Sequence, residues 1–188
     1  MNFDTKYLIR WGIPGWIMIL TLFPYLFVTY LDTFKKLFSL SAVDILTLGA
    51  ALAFLGVPLG YVLNQVHHSL LWVIPKLFKK EWDHYFKQEI DVDEKHLAEH
   101  VPKQERYRYL LSKKHEIGGV MVSFIISWVV IISINIFHSS SFWSWFYFGV
   151  VTFLTILFIF SRNYSSRNVY YYFYEYLLKE EDNNNNQS

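Results

Sequence analysis

The stretch that decides the fold is Ile117–Phe160, which reads IGGVMVSFIISWVVIISINIFHSSSFWSWFYFGVVTFLTILFIF. None of its residues is Asp, Glu, Lys or Arg. A bilayer core about 30 Å thick needs roughly 20 apolar residues in a helix, and this stretch holds two such runs, 117–137 and 142–160. Only residues 138–141 separate them. The sequence therefore predicts two transmembrane helices joined as a tight antiparallel hairpin.

Two further uncharged runs precede this hairpin. Trp11–Leu31 holds 21 residues, and another run extends from Ile45 to about Val66. The first run is too long for the apolar core of a signal peptide, about 7–15 residues, so it is predicted to be a membrane span. The chain of 188 residues has too few others to bury all four runs in a soluble core. The predicted fold class is an all-α, polytopic membrane protein with four transmembrane helices.

The distribution of lysine and arginine predicts which parts of the chain face the cytoplasm. With the N-terminus inside, 15 of these residues fall on the cytoplasmic side and only Lys35 and Lys36 on the other. Cytoplasmic loops of membrane proteins are enriched in both residue types. We therefore expect both termini in the cytoplasm and a multi-pass location in the plasma or inner membrane.

The chain outside the spans is short. Residues 76–116, between the second and third spans, carry ten basic and nine acidic residues and are predicted to be a short helical segment on the cytoplasmic side. Because so short a segment is marginal as an independent domain, residues 1–179 are interpreted as a single transmembrane domain. Residues 180–188 include four consecutive Asn and have the composition of a disordered tail.

A stripe of small residues follows one helical face of the second span. Its members recur at steps of four, three and four: Gly49, Ala53, Gly56 and Gly60. Small residues let two helix backbones approach closely in a membrane. The stripe predicts a helix-packing seam. Its mate is either the third span, through Gly119, Ser123 and Ser127, or a second copy of the chain.

The same face of the second span ends in the polar residues Asn64, His67 and His68. Polar side chains at the inner end of a membrane helix can line a cavity or bind a ligand. They can equally contact lipid headgroups at the membrane surface. The sequence leaves both interpretations of this polar cluster open.

A candidate metal site lies in the polar segment. His96-Leu97-Ala98-Glu99-His100 matches the H-x-x-E-H pattern of inverted zinc peptidases. Residues four apart on a helix share a face, so His96 and His100 could bind zinc while Glu99 activates water. No third ligand is identifiable, and the chain has no cysteine. The expected cofactor is therefore none, with zinc or iron as the alternative.

These features favour a non-catalytic function. No span carries a charged residue, whereas ion and proton pathways usually use charged groups inside the membrane. We expect an oligomerising membrane effector, accessory or scaffold component, with membrane permeabilisation as one form of it, regulated through residues 76–116. Its partners would be the lipid bilayer and another protein or copy of the chain, and the net charge of +1 gives no reason to expect nucleic acid. The alternatives are a membrane metalloenzyme that uses the inner histidines and a transporter or channel subunit.

Overall fold

The computed structural model describes residues 5–37, 42–79, 86–87, 90, 101–138 and 141–173. Six helices account for most of these residues: α1 Thr5–Thr29, α2 Leu31–Leu37, α3 Ala42–His68, α4 Ile74–Lys79, α5 Val101–Phe137 and α6 Phe142–Tyr170. A turn of π-helix, Ser69–Val73, joins α3 to α4. The described residues contain no strand.

Four of these helices are long and apolar enough to cross a membrane. The candidate spans in the described residues are Trp11–Thr29, Asp44–Leu71, Pro102–Phe137 and Phe142–Phe173. The predicted all-α class and the four predicted candidate spans are therefore confirmed.

The helices that carry the third and fourth spans are longer than the uncharged runs that predicted them. Helix α5 begins at Val101 rather than at Ile117, and α6 continues beyond Phe160 to Tyr170. An uncharged run indicates the apolar part of a helix, whereas backbone hydrogen bonding continues into the polar residues. Helix α4 and the start of α5 belong to the predicted segment 76–116. Residues 80–85, 88–89, 91–100 and the predicted tail 180–188 lie outside the described residues.

Helix α5 is the central element of the bundle. Helix α1 packs against α3 and α5, α3 also packs against α5, and α6 packs mainly against α5. In an 18-residue apolar window of each span, 44% of the residues on α5 are buried, compared with 11% on α3 and 11% on α6. The outer faces of α3 and α6 are therefore left uncovered by the described chain.

Contacts between the helices show that successive long helices run in opposite directions. Trp11 of α1 meets Gly60 of α3 and Gly15 meets Gly56, so these two helices are antiparallel. Pro14 meets Gly119 at one end of α5 and Tyr30 contacts His138 at the other, with ring centroids 5.4 Å apart, so α1 and α5 are parallel. Hydrogen bonds from Trp128 to Thr152 and from Ser144 to Asn135 show that α5 and α6 are antiparallel. We call the end formed by residues 29–31, 138 and 141–144 the hairpin end. The opposite end, formed by residues 64–79, 106–119 and 160–173, is called the basic end.

Glycines hold the backbones of α1 and α3 against each other. A Cβ atom on Gly15 would overlap the carbonyl oxygen of Gly56, and one on Gly60 would overlap the carbonyl oxygen of Trp11. The indole of Trp16 fills the space over Gly56, and its Nε1–H donates a hydrogen bond to the carbonyl oxygen of Ala53 (2.8 Å). Close backbone contact of this kind stabilises helix pairs in membranes through van der Waals packing.

Helix α5 is fixed against α1 by a buried hydroxyl. The Ser123 side chain is fully buried and donates hydrogen bonds to the carbonyl oxygens of Pro14 (2.7 Å) and Gly119 (3.0 Å). Toward the hairpin end the contact continues as an apolar core, whose buried members are Tyr25, Val120, Phe124, Ile131 and Val151. Since Val151 belongs to α6, this core joins three of the four spans.

We expect Gly15→Ala to destabilise the bundle, because the new methyl group would force the α1 and α3 backbones apart. Overpacking of this kind lowers the free energy of unfolding by about 1–3 kcal/mol. The matched control is Gly149→Ala on α6, where a Cβ would meet nothing within 4 Å. It should leave that free energy unchanged or raise it by up to about 1 kcal/mol, since alanine favours a helix over glycine. Circular dichroism during unfolding in mixed micelles measures both, and equal effects would contradict the predicted contact.

Candidate functional site

Two consecutive glycines on α5 admit the polar side chains that end α3. A Cβ atom on Gly118 would overlap the imidazole of His67, and one on Gly119 would overlap Oδ1 of Asn64. The surface of α5 at Gly118 and Gly119 is therefore covered by polar side chains of α3 and by Pro14 of α1.

His67 is the most deeply buried polar residue of this cluster, with only 2% of its surface exposed. Neither Nδ1 nor Nε2 has a hydrogen-bond partner among the described residues. Its ring meets His115 of α5 edge-on, with centroids 6.0 Å apart, and His68 lies 5.6 Å from the same ring of His115. Three imidazoles from two helices therefore lie together at the basic end.

The surroundings of His67 are cationic. Among the described residues, the groups that act on it electrostatically are Arg162, His115, Lys114 and His68, and every one of them is basic. Arg162 comes from α6, and its Nε atom is buried without a partner in the described part of the chain. Buried polar and charged groups are costly unless they are hydrogen-bonded or paired. We call the set His67, His68, Lys114, His115 and Arg162 the basic cluster, and its chemistry suits an anionic group.

The sequence pattern predicted Asn64, His67 and His68 at this end of the span but did not identify their neighbours. Lys114 and His115 come shortly before the uncharged run that begins at Ile117, and Arg162 follows the run that ends at Phe160. These three residues could have been predicted as neighbours from their positions beside the ends of two different spans, because span ends on the same side of a membrane can contact each other. Which of them reach His67 depends on the rotation of each helix.

The predicted seam residues lie in three environments. Gly56 and Gly60 contact α1, Gly119 contacts Asn64 and Pro14, and a Cβ on Gly49 would meet nothing within 4 Å. The remaining members are Ala53, which is exposed, and Ser123 and Ser127, which are fully buried. Helix α1 is thus the mate of the glycine pair, and the part of the stripe at Gly49 and Ala53 is open. The hydroxyl of Ser127 has no partner among the described residues.

The predicted metal-binding residues His96, Glu99 and His100 lie outside the described residues. Within the described ranges, no group of three or more His, Cys, Asp or Glu side chains could hold a metal ion. The zinc or iron interpretation of this motif therefore stays a prediction.

A second polar site lies at the hairpin end. The Tyr25 hydroxyl donates to Oδ1 of Asn135 (2.7 Å) and lies 3.0 Å from Oγ of Ser144, which also donates to that Oδ1. The Nδ2 atom of Asn135 is buried without a partner in the described chain. If the amide is turned so that Nδ2 faces the two hydroxyl groups, Oδ1 is left without a partner instead. These three residues line a cavity of about 410 Å³, whose described lining contains no Asp, Glu, Lys or Arg, in contrast to the basic end.

Comparison with protein-family models, curated proteins and solved structures finds no match. The chemistry of the two polar sites and the surface of the helices are therefore the basis for assigning a function.

We expect His67→Leu to raise the free energy of unfolding by about 1 kcal/mol, because it removes two buried nitrogens that lack partners while keeping an apolar side chain in the space. The matched control is His138→Leu at the hairpin end, where the side chain is exposed and little change is expected. Chemical unfolding in micelles measures both. A loss of stability in His67→Leu well beyond that of the control would show that the imidazole is satisfied in the folded protein.

Proposed function

We propose that this chain is a non-catalytic integral membrane protein that self-associates and acts as an effector, accessory or scaffold component. The observation that carries the proposal is the uneven burial of its spans. In an 18-residue apolar window of α3 and of α6, only 11% of the residues are buried. Large apolar side chains such as Phe54 (87% exposed) and Leu46 (76% exposed) lie on the outer face of α3. A second copy of the chain is the occupant we assign to this face.

Small residues on the uncovered part of α3 support self-association. Gly49 has no neighbour within 4 Å of where its Cβ would lie, and Ala53 one turn further is exposed. Close approach of a second helix requires such positions, since lipid and leucine side chains are equally apolar and hydrophobicity gives no preference between them. Gly56 and Gly60 are unsuited to this role because α1 already covers them.

The proposed orientation places the basic end and both termini in the cytoplasm. It is supported by the 15 lysine and arginine residues assigned to that side, compared with two on the other. The basic cluster then faces the compartment in which an acidic partner or an anionic headgroup could reach it. Regulation through residues 76–116 fits this placement, because Lys114 and His115 of the basic cluster belong to the end of that segment, which α5 carries.

The orientation predicts the accessibility of two reporter insertions. A reporter inserted into the link 138–141 should be accessible only from outside the cell, and one inserted immediately before Pro102 only from the cytoplasm. The side of the membrane on which each insertion lies is measured with two reporters, one active only in the periplasm and the other active only in the cytoplasm. The opposite pattern would invert the proposed topology while leaving the fold unchanged.

We expect the purified wild-type chain to form a discrete multimer in mild detergent and Gly49→Leu to reduce its mass, because leucine would separate the two backbones at the open position. The matched control is Gly149→Leu on α6, where a Cβ also meets nothing within 4 Å. It should keep the wild-type mass. Light scattering coupled to size-exclusion chromatography gives the protein mass of each variant.

A monomeric wild-type protein would contradict self-association and would assign the exposed faces of α3 and α6 to lipid. If both leucine variants lost the multimer, the interface would not be specific to α3. Gly56→Leu is a poor substitute for this test, because its side chain would clash with Trp16 inside the monomer.

A further inference from the structure

A groove between α5 and α6 lies at the basic end, separate from the residues of the basic cluster. Its volume is about 590 Å³, within the range of roughly 300–1,000 Å³ that ligand pockets occupy. Among the described residues, its charged lining consists of two cations, Arg106 and Lys113 of α5. The α6 wall adds the hydroxyl groups of Ser161 and Ser165. This combination of donors and positive charge suits a phosphate group.

The groove also spans the boundary between the apolar and polar parts of both helices. Ile117 begins the uncharged run of α5, Phe160 ends that of α6, and both residues line the groove. Because the two helices are antiparallel neighbours, they pass from apolar to polar residues at the same level. One side of the groove is therefore apolar, and the other presents cations and hydroxyl groups.

Helix geometry places Lys113 at the depth of lipid phosphates. Lys113 lies four residues from Ile117, which corresponds to about 6 Å along the helix axis. The headgroup region on each side of a bilayer is roughly 5–7 Å thick. Arg106 lies two further turns out, about 10 Å beyond Lys113 along the helix axis, and therefore marks the outer end of the groove. Its guanidinium is 5.9 Å from the ring centroid of Tyr109.

The ion pair that Lys113 makes does not prevent such binding. Its Nζ lies 3.5 Å from Oε1 of Glu116, and 46% of the lysine side chain is exposed. Exposed pairs of this kind contribute little to stability, about 0–1 kcal/mol. The ammonium group has three donors, so Lys113 can keep this contact and bind a phosphate oxygen.

From these features we propose that the α5–α6 groove binds an anionic phospholipid. Its phosphate would contact Lys113 and the serine hydroxyls, its headgroup would extend toward Arg106, and its acyl chains would lie against Ile117 and Phe160. This goes beyond the proposed function, because lipid binding in the groove does not require self-association through α3. Basic pockets between transmembrane helices on the cytoplasmic side are a known way to recognise anionic lipids.

The test uses the full chain in mild detergent, titrated with phosphatidylglycerol or phosphatidylcholine, with retained lipid counted by native mass spectrometry. We expect a preference for the anionic lipid on the order of tenfold, since each cation near a membrane surface contributes about 1 kcal/mol. The double variant Arg106→Gln/Lys113→Gln should reduce this preference to within about twofold. The matched control is Arg108→Gln/Arg167→Gln, which removes two exposed cations outside the groove and should keep the preference.

Three outcomes would overturn the proposal. The wild-type chain could bind both lipids equally, or the control variant could lose as much preference as the groove variant, which would indicate general surface charge. Excess inorganic phosphate could displace the lipid, which would make free phosphate the ligand. The protein mass of each variant, measured in the same spectra, reports self-association separately, so failure of one proposal is distinguishable from failure of the other.

Discussion

The close approach of the α1 and α3 backbones at Gly15, Gly56 and Gly60 is the constraint on which the rest of the structure depends. Since lipid is as apolar as the side chains it meets, association of membrane helices depends on packing and hydrogen bonds rather than on burial from water. With α1 and α3 in contact, α5 packs against both. The hydroxyl of Ser123 then reaches the Pro14 carbonyl and ties α5 to α1 where their side chains are small.

Glycine has a second use on α5, where it makes room for polar groups. Gly118 and Gly119 lie under His67 and Asn64. His67 is therefore buried, and Asn64 half-buried, against a backbone that offers no side chain of its own. The result is a cluster of basic residues, Arg162 among them, in which buried nitrogens lack partners in the described chain. Such groups lower stability unless they are paired, which is why we connect the cluster with an anionic partner rather than with packing.

The two ends of the bundle differ in chemistry and in exposure. At the hairpin end, Tyr25, Asn135 and Ser144 are joined by hydrogen bonds between uncharged groups, and Nδ2 of Asn135 has no partner among the described residues. At the basic end, positive charge dominates both the basic cluster and the α5–α6 groove. Helix α6 is held mainly by α5, so it leaves one face open to lipid or protein along its length. A bundle of this kind is suited to binding at its surfaces, by an anionic group at one end and by another helix along α3.

The sequence by itself determined the class and the number of candidate spans, because a bilayer imposes a length and an absence of charge that are visible in any uncharged run of about 20 residues. It also indicated that Asn64, His67 and His68 would lie at one end of a span. Only the tertiary structure decided that α1 covers Gly56 and Gly60, that Gly49 stays open, and that Arg162 joins the histidines. These outcomes depend on the rotation of each helix about its axis and on which helix is its neighbour. Uniformly apolar runs carry little information about either, since nearly every face of such a helix is equally compatible with lipid.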